Sequence, residues 1–266
     1  MSGSVILPYI GINVIIFVVV SLASLIGFSS GKEGFVNGLV SEYLAFPASP
    51  NQWLTHFYTL ITYQFIHFGF FHILFNMLWL YWMGQLFLDF LKPRQFHFVY
   101  IAGGIFGAVF FALIYNFLPN YKLIDGAILI GASASVMAIF TAITTLVPNY
   151  TIHLMLIGPI KLKYLLAIYI FLDVIAIQNY DGGSVAHLGG ALLGFAYIKL
   201  LQNGTDLTKL FERKPKLKVV RNNEPKRNAN TVNQKEVDAI LDKISKSGYD
   251  KLSKEEKDTL FKASKS

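Results

Sequence analysis

Four polar side chains in apolar surroundings could together perform acyl transfer. Ser133 opens the apolar stretch "GASASVMAIF", and His187 lies near the start of another apolar stretch. A serine that hydrogen-bonds a histidine is the minimum for nucleophilic catalysis, because the imidazole takes the hydroxyl proton and later gives it to the leaving amine. His72 and Asn76 are four residues apart and share a helix face. They could hold the oxyanion together with the Ser133 backbone N–H.

Each of these residues also has a structural interpretation. A lone serine such as Ser133 commonly packs between helices, and His187 could be a satisfied interior histidine. His72 and Asn76 could be interhelical hydrogen-bond partners. Ser135 is turned about 200° from Ser133 on a helix, so we expect it to pack in the core rather than react.

Two other kinds of site deserve comparison with this one. His67, His72 and His187 could in principle bind zinc, but the chain has no HExxH pattern and no carboxylate at helical spacing from them, so no metal is expected. Asp173 lies inside an apolar stretch and favours the alternative of a proton- or ion-coupled transporter. The absence of cysteine excludes disulfides and thiolate chemistry.

The composition predicts an all-α, polytopic membrane protein. The chain has 266 residues, of which 54% are hydrophobic and 15% charged, with a mean hydropathy of +0.48. Long uncharged apolar runs recur over the first 200 residues, as in membrane-spanning helices. We predict six spans, at about Pro8–Phe28, Gly69–Phe90, Gln95–Phe117, Ser133–Val147, Tyr164–Ile177 and Val185–Leu201.

Basic residues in the loops predict the orientation of the spans. Cytoplasmic loops carry an excess of Lys and Arg. The loops after the second and fourth spans and the tail after the sixth are basic, whereas the other loops hold only Lys32 and Lys122. Both termini are therefore expected in the cytoplasm. The second, fourth and sixth spans then begin in the outer leaflet, which puts the four polar groups at one depth.

Small residues indicate which helices approach closely. Gly190 and Gly194 have GxxxG spacing just after His187, and such faces let two backbones come together. Ser133 is surrounded by small residues, among them Gly131 and Ala134. If the fourth and sixth spans pack along these faces, Ser133 and His187 can meet.

The polar tail carries most of the net charge. From Asn203 onward there are 16 Lys/Arg and 10 Asp/Glu, a net of +6 out of +7. These charges are interspersed rather than clustered with aromatic residues, so no nucleic-acid partner is expected. We predict a membrane domain at 1–202, a polar linker at 203–232 and a small helical hairpin at 233–266 with an unidentified partner. N-cap and N3 spacing at Asn233–Glu236 and Ser253–Glu256, and Gly248 as a C-cap, support the hairpin.

Three motifs in this order resemble those of the rhomboid intramembrane serine proteases. "HFGFFHILFN" is similar to their HxxxxHxxxN signature, "GASA" to their GxSG motif and "AHLGGALLG" to their AHxGGxxxG motif. The resemblance covers about residues 8–202. It implies Ser133 as nucleophile, His187 as general base, and oxyanion contacts from His72, Asn76 and Ser133. The remaining matched motif positions are His67, Gly131, Ala134, Gly189, Gly190 and Gly194.

The resemblance also implies a function and a location. It implies a six-helix core that cleaves single-pass or polytopic membrane substrates near the outer face, with a Ser–His dyad, no aspartate and no cofactor. The tail resembles a cytosolic appendage of some bacterial rhomboids, so we expect an integral protein of the bacterial inner membrane. A catalytically inactive, client-binding relative is the alternative. The sequence departs from the family at Ala134 in place of glycine, Tyr58-Thr59 in place of Trp-Arg, and Met137 in place of tyrosine.

Overall fold

The chain folds into two units, Met1–Glu212 and Arg213–Ser266. The computed structural model describes residues 3–121, 126–154, 158–179, 182–211 and 233–264. The first unit is a bundle of long helices with short elements between them, and the described part of the second contains two short helices.

Six helices form the framework of the first unit. They are α1 (Gly3–Ser29), α4 (Phe70–Phe90), α5 (Pro93–Phe117), α6 (Ser133–Leu146), α7 (Leu162–Ala176) and α8 (Gly182–Gln202). The shorter elements between them are α2 (Phe35–Tyr43), β1 (Phe46–Pro47), α3 (Thr59–Thr62), β2 (Ile128–Leu129), β3 (Thr151–Leu154) and β4 (Gly158–Lys161). The predicted helical fold is confirmed, and each long helix begins and ends within five residues of its predicted bounds.

Five of these helices are long and apolar enough to cross a membrane, and α6 is not. With 14 residues, α6 is about 21 Å long, whereas a bilayer core is about 30 Å thick. Every residue from Ala134 to Thr144 is buried, so protein rather than lipid surrounds α6. The count of six complete spans therefore stays a prediction.

Glycines let α8 and α5 pack directly on the backbone of α6. A Cβ atom added at Gly190 would overlap the carbonyl group of Ala134, and one added at Gly194 would overlap that of Ala138. On the other side, a Cβ at Gly107 of α5 would lie 2.6 Å from the methyl carbon of Ala134. The close approach of the fourth and sixth predicted spans is thus present in the structure.

The segment before α4 is pinned to the bundle by hydrogen bonds. β1 pairs in antiparallel fashion with β2, with Phe46 opposite Leu129. The Trp53 indole N–H donates to the Pro47 carbonyl at 3.0 Å. The Tyr63 hydroxyl donates to the Gly104 carbonyl in α5 at 2.6 Å. These contacts anchor the segment although it lacks the Trp-Arg pair of the resembled family.

The first unit extends past the predicted boundary at residue 202. Asp206 follows α8 and accepts hydrogen bonds from five donors on four residues, which are Arg94, Gln95, Tyr197 and Thr208. The chain then continues in a 3₁₀ turn at Leu207–Phe211. A carboxylate thus holds this segment against the bundle, past the predicted start of the linker at residue 203. Its part from 212 to 232 lies outside the described residues.

In the second unit, α9 (Gln234–Ser247) and α10 (Lys254–Ala263) have the predicted caps. Ser253 and Glu256 form a reciprocal capping box, and Gly248 ends α9 with a φ of 83°. The Asn233 side chain caps α9, but it accepts from the Lys235 N–H rather than taking part in a capping box.

Candidate active site

The four residues expected to react or to bind the oxyanion line one cavity of about 300 Å³. Ser133 is the first residue of α6, and His187 is the sixth of α8. His72 and Asn76 are the third and seventh residues of α4. The three helices thus bring their first two turns to the same end of the bundle, which we call the site end.

The chain before Ser133 is held by two backbone hydrogen bonds. The Gly131 N–H donates to the Tyr63 carbonyl at 2.9 Å, and the Ala132 N–H donates to His67 Nε2 at 3.3 Å. Gly131 has a φ of +107°, and a Cβ there would lie 2.8 Å from His72 Nε2, so this position requires glycine. As the first helical residue, Ser133 has an N–H without an intrahelical acceptor.

His67 supports this turn as a neutral ring. It is 2% exposed, and its ring contacts that of His72 edge to face at 4.8 Å between centroids. Burial, and next the charge on a protonated His72, lower the pKa of His67 to about 3. Near neutral pH its Nε2 therefore keeps the lone pair that accepts the Ala132 N–H.

His187 has an aspartate beside it, which the resembled family would not lead one to expect. Its Nδ1 lies 3.0 Å from Oδ1 of Asp173 in α7. When the Asp173 carboxylate accepts a hydrogen bond from Nδ1, the ring proton is on Nδ1 and Nε2 can take a proton from Ser133. The resemblance implies a dyad without an aspartate, whereas this structure has Asp173 within hydrogen-bond distance of His187.

Tyr169, one turn before Asp173, also lines the cavity. Its ring centroid lies 6.2 Å from that of His187. Met137 lines the same cavity at the position where the resembled family often has a tyrosine. The aromatic neighbour of the histidine thus comes from α7 instead of α6.

The sequence left Asp173 unexplained and did not single out Tyr169. For Asp173, the direction of the two helices was a usable signal. The consecutive helices α7 and α8 run in opposite directions, so the last turn of α7 and the second turn of α8 lie at one depth. Asp173 is three residues before the end of α7 and His187 is five residues after the start of α8. Counting residues from the connection between the two helices therefore predicts that they lie at a similar depth.

Ala134 does not enter the cavity. Its methyl group faces Gly107 of α5, and Ala134 is absent from the residues that line the cavity. Ser135 is also turned away, and its hydroxyl donates to Gln64 Oε1 at 3.1 Å inside the core. The two serines of the "GASA" segment therefore have different surroundings, as predicted from the helical period.

The two candidate oxyanion residues on α4 are adjacent. The Asn76 amide donates one hydrogen bond to the His72 carbonyl at 2.9 Å. An amide nitrogen has two N–H groups, so this bond leaves Asn76 a second donor. Both residues line the cavity that Ser133 and His187 share.

A second cavity, of about 520 Å³, meets the same residues from another side. Ser133, His72 and His187 line both cavities. The smaller cavity is mainly aromatic, with Phe71, Phe75, Trp79, Phe140 and Tyr169 in its wall. The larger one is bordered by residues 127–130, which include β2, and by Gly182 and Gly183 at the start of α8. A chain lying across Ser133 could therefore occupy space on both sides of it.

The histidines do not assemble into a metal site within the described ranges. No group of three or more His, Cys, Asp or Glu side chains that could hold a metal ion occurs there. The chemistry available to the site is that of a hydroxyl, imidazoles, an amide and a carboxylate.

Comparisons with known proteins match the region that contains this site. A family model described as the Rhomboid domain matches residues 54–203, and a family of unknown function, DUF6576, matches residues 222–266. The chain is 29% identical over 168 residues to presenilin-associated rhomboid-like protein A, mitochondrial, of Danio rerio. That similarity covers 60% of this chain and 40% of the relative, so the chain spans about two fifths of that relative's length.

Proposed function

The chain belongs to the rhomboid family of integral membrane proteins, and from this premise we propose that it is an intramembrane serine endopeptidase with Ser133 as nucleophile and His187 as general base. The observation that carries the proposal is that both residues line one cavity together with His72 and Asn76. A packing serine and an interior histidine have no need of a shared cavity with hydrogen-bond donors.

In the first step, the Ser133 hydroxyl oxygen attacks a substrate carbonyl carbon while its proton moves to His187 Nε2. The resulting oxyanion accepts hydrogen bonds from His72, the Asn76 amide and the Ser133 backbone N–H. When the C–N bond breaks, His187 gives its proton to the leaving amine. An acyl-enzyme remains on Ser133.

Water then completes the cycle. It gives a proton to His187 Nε2 while its oxygen attacks the acyl carbon, and the bond to the Ser133 oxygen breaks. His187 returns the proton to that oxygen. The peptide leaves with a new carboxyl group, and the site regains its starting state.

The substrate class follows from the membrane setting of the site. We propose that single-pass or polytopic membrane proteins are cut where their helix unwinds, since backbone carbonyls in lipid are otherwise held in helical hydrogen bonds.

The orientation and location are part of the proposal. Basic loops favour both termini in the cytoplasm, which puts the site end at the outer face of a bacterial inner membrane. Water can then reach the acyl-enzyme from the outer side. The second unit would lie in the cytoplasm, joined by the linker that ends at residue 232, with a partner that its sequence leaves unidentified.

Covalent labelling tests the nucleophile. Purified protein in detergent is incubated with a fluorophosphonate probe, and labelling is compared among the native protein, Ser133→Ala and Ser135→Ala. We expect the native protein and Ser135→Ala to be labelled and Ser133→Ala to remain unlabelled. Ser135 is the matched control, because it is two residues away and buried against Gln64.

Two results would contradict the proposal. Equal labelling of Ser133→Ala would place the reactive serine elsewhere. An unlabelled native protein that still binds membrane-protein clients would instead indicate an inactive member of the family.

A further inference from the structure

We propose that Asp173 is a positioning residue for His187, so that Ser133, His187 and Asp173 form a triad; this inference rests on the proposed function. It concerns a residue outside the three sequence motifs. Asp173 is not among the residues that line the cavity. It would act on Ser133 only through the imidazole of His187.

The surroundings of Asp173 favour a role tied to His187. Its side chain is 8% exposed and lies within an apolar helix. Its Oδ1 meets His187 Nδ1 at 3.0 Å, while its buried Oδ2 has no hydrogen-bond partner among the described residues. α7 contains one basic residue, Lys163, which is ten residues from Asp173, or about 15 Å along the axis. A carboxylate in this setting is costly for a membrane protein to keep.

Two side chains of α7 fix the imidazole from different directions. Asp173 engages Nδ1, and Tyr169 lies beside the ring with an interplanar angle of 60°. They are one helical turn apart on the same face. α7 therefore holds the histidine that α8 carries, and with Nδ1 engaged by Asp173 the other nitrogen, Nε2, is the one available to the serine.

The chemical consequence is control of the tautomer. With its proton on Nδ1 bonded to Asp173, His187 presents a lone pair at Nε2 when Ser133 must lose its proton. After that transfer the positively charged ring lies against a carboxylate, which stabilises it. Asp173 takes no proton in either transfer.

Two substitutions at Asp173 separate this role from a structural one, because the two roles predict opposite rankings of their labelling rates. In Asp173→Asn, the amide keeps the shape of the side chain but donates to Nδ1, which moves the imidazole proton to Nε2 and blocks the base. Asp173→Ala removes the partner and leaves both tautomers accessible. We expect the maximal rate of fluorophosphonate labelling to fall at least about 100-fold in Asp173→Asn and only about ten-fold in Asp173→Ala.

The probe concentration for half-maximal labelling should stay within about two-fold of native in both variants, because Asp173 does not line the cavity. A structural role predicts the reverse order, with the isosteric Asn nearly native and Ala the more damaged. Asp206→Asn, at an aspartate of the same unit whose side chain is 7% exposed, is the control for stability and should label at a near-native rate.

A spectroscopic readout keeps the inference separate from activity. In protein labelled with ¹⁵N-histidine, we expect His187 to carry its proton on Nδ1 in the native chain and on Nε2 in Asp173→Asn. A native ring protonated on Nε2, or equal labelling rates for native protein and Asp173→Asn, would overturn the inference. If the native chain is not labelled at all, the proposed function fails, and the position of the His187 proton still decides whether Asp173 orients the ring.

Discussion

Two carboxylates at opposite ends of the bundle have side chains of similar exposure but very different hydrogen bonding. The Asp206 and Asp173 side chains are 7% and 8% exposed. Asp206 accepts five hydrogen bonds, including one from Arg94 at 3.3 Å. Asp173 has a single partner, His187, and one oxygen without any among the described residues.

The difference shows how burial of the same group can serve stability or function. A buried charge is tolerated when hydrogen bonds replace water, as at Asp206. A buried charge with one partner is a cost to the fold. Residues that violate the rules of packing in this way are expected at functional sites, and this contrast leads to four predictions.

The largest effect is expected where one change damages both carboxylate sites. α8 carries His187 and leads into Asp206, and Gly190 lies between them against the Ala134 carbonyl. In Gly190→Ala, the added methyl group must push α8 away from α6, at a cost of about 3 kcal/mol. The melting temperature in detergent and the rate of probe labelling should both fall.

Gly11→Ala is the matched control, because no atom lies within 4 Å of a Cβ at Gly11 in α1. A Gly190→Ala protein with native stability would show that the two helices can separate at little cost.

The second effect is loss of stability without loss of chemistry. Asp206→Ala leaves the donors of Arg94, Gln95 and Tyr197 without their acceptor, so we expect the free energy of unfolding to fall by about 2 kcal/mol. Labelling of the folded fraction should stay near native, because Asp206 is at the other end of α8 from the site. Selective loss of labelling in stably folded protein would contradict this assignment.

The third effect is a gain in stability, whereas the first two are losses. Asp173→Leu has the same branching but no charge, so it removes a buried carboxylate oxygen that lacks a partner. We expect a gain of about 1 kcal/mol in unfolding free energy together with a large loss of labelling rate. A destabilised Asp173→Leu protein would mean that the bond to His187 contributes more to the fold than the carboxylate costs.

The smallest effect is a dependence on pH. Burial raises the pKa of the Asp206 carboxyl, but hydrogen bonds from Thr208 and Gln95 and the charge of Arg94 outweigh this, so the pKa lies below its usual value. The unfolded chain therefore binds the proton first as pH falls, and stability present above about pH 4 is lost as pH falls through the lower, folded-state pKa. Melting temperatures between pH 3 and 6 should decline more in native protein than in Asp206→Asn. Parallel curves would contradict the prediction.

The sequence was sufficient for the helices and for the residues around Ser133. Apolar runs located the six long helices, and small residues at Gly190 and Gly194 correctly indicated the contact between α6 and α8. The helical period separated Ser133 from Ser135. These features depend on patterns within one segment, or on faces that fit only in one way.

Patterns of this kind could not predict the partner of His187 or the end of the first unit. Whether Asp173 faces α8 depends on how α7 is rotated about its axis, which no residue spacing within α7 specifies. Asp206 appeared to be one polar residue in a polar tail, since Arg94, which donates to it, is 112 residues away. Both features depend on polar contacts between segments whose relative position only the packed structure supplies.

The shortness of α6 bears on how the protein meets membranes of different thickness. A helix surrounded by lipid tilts or stretches the bilayer when their lengths disagree, a hydrophobic mismatch. α6 is enclosed by neighbouring helices, so it experiences no such force. Ser133 also lies level with His187, five residues or about 7.5 Å below the start of α8. The depth of Ser133 in the membrane is therefore set by the surrounding helices. A change in lipid length would shift Ser133 only by moving those helices.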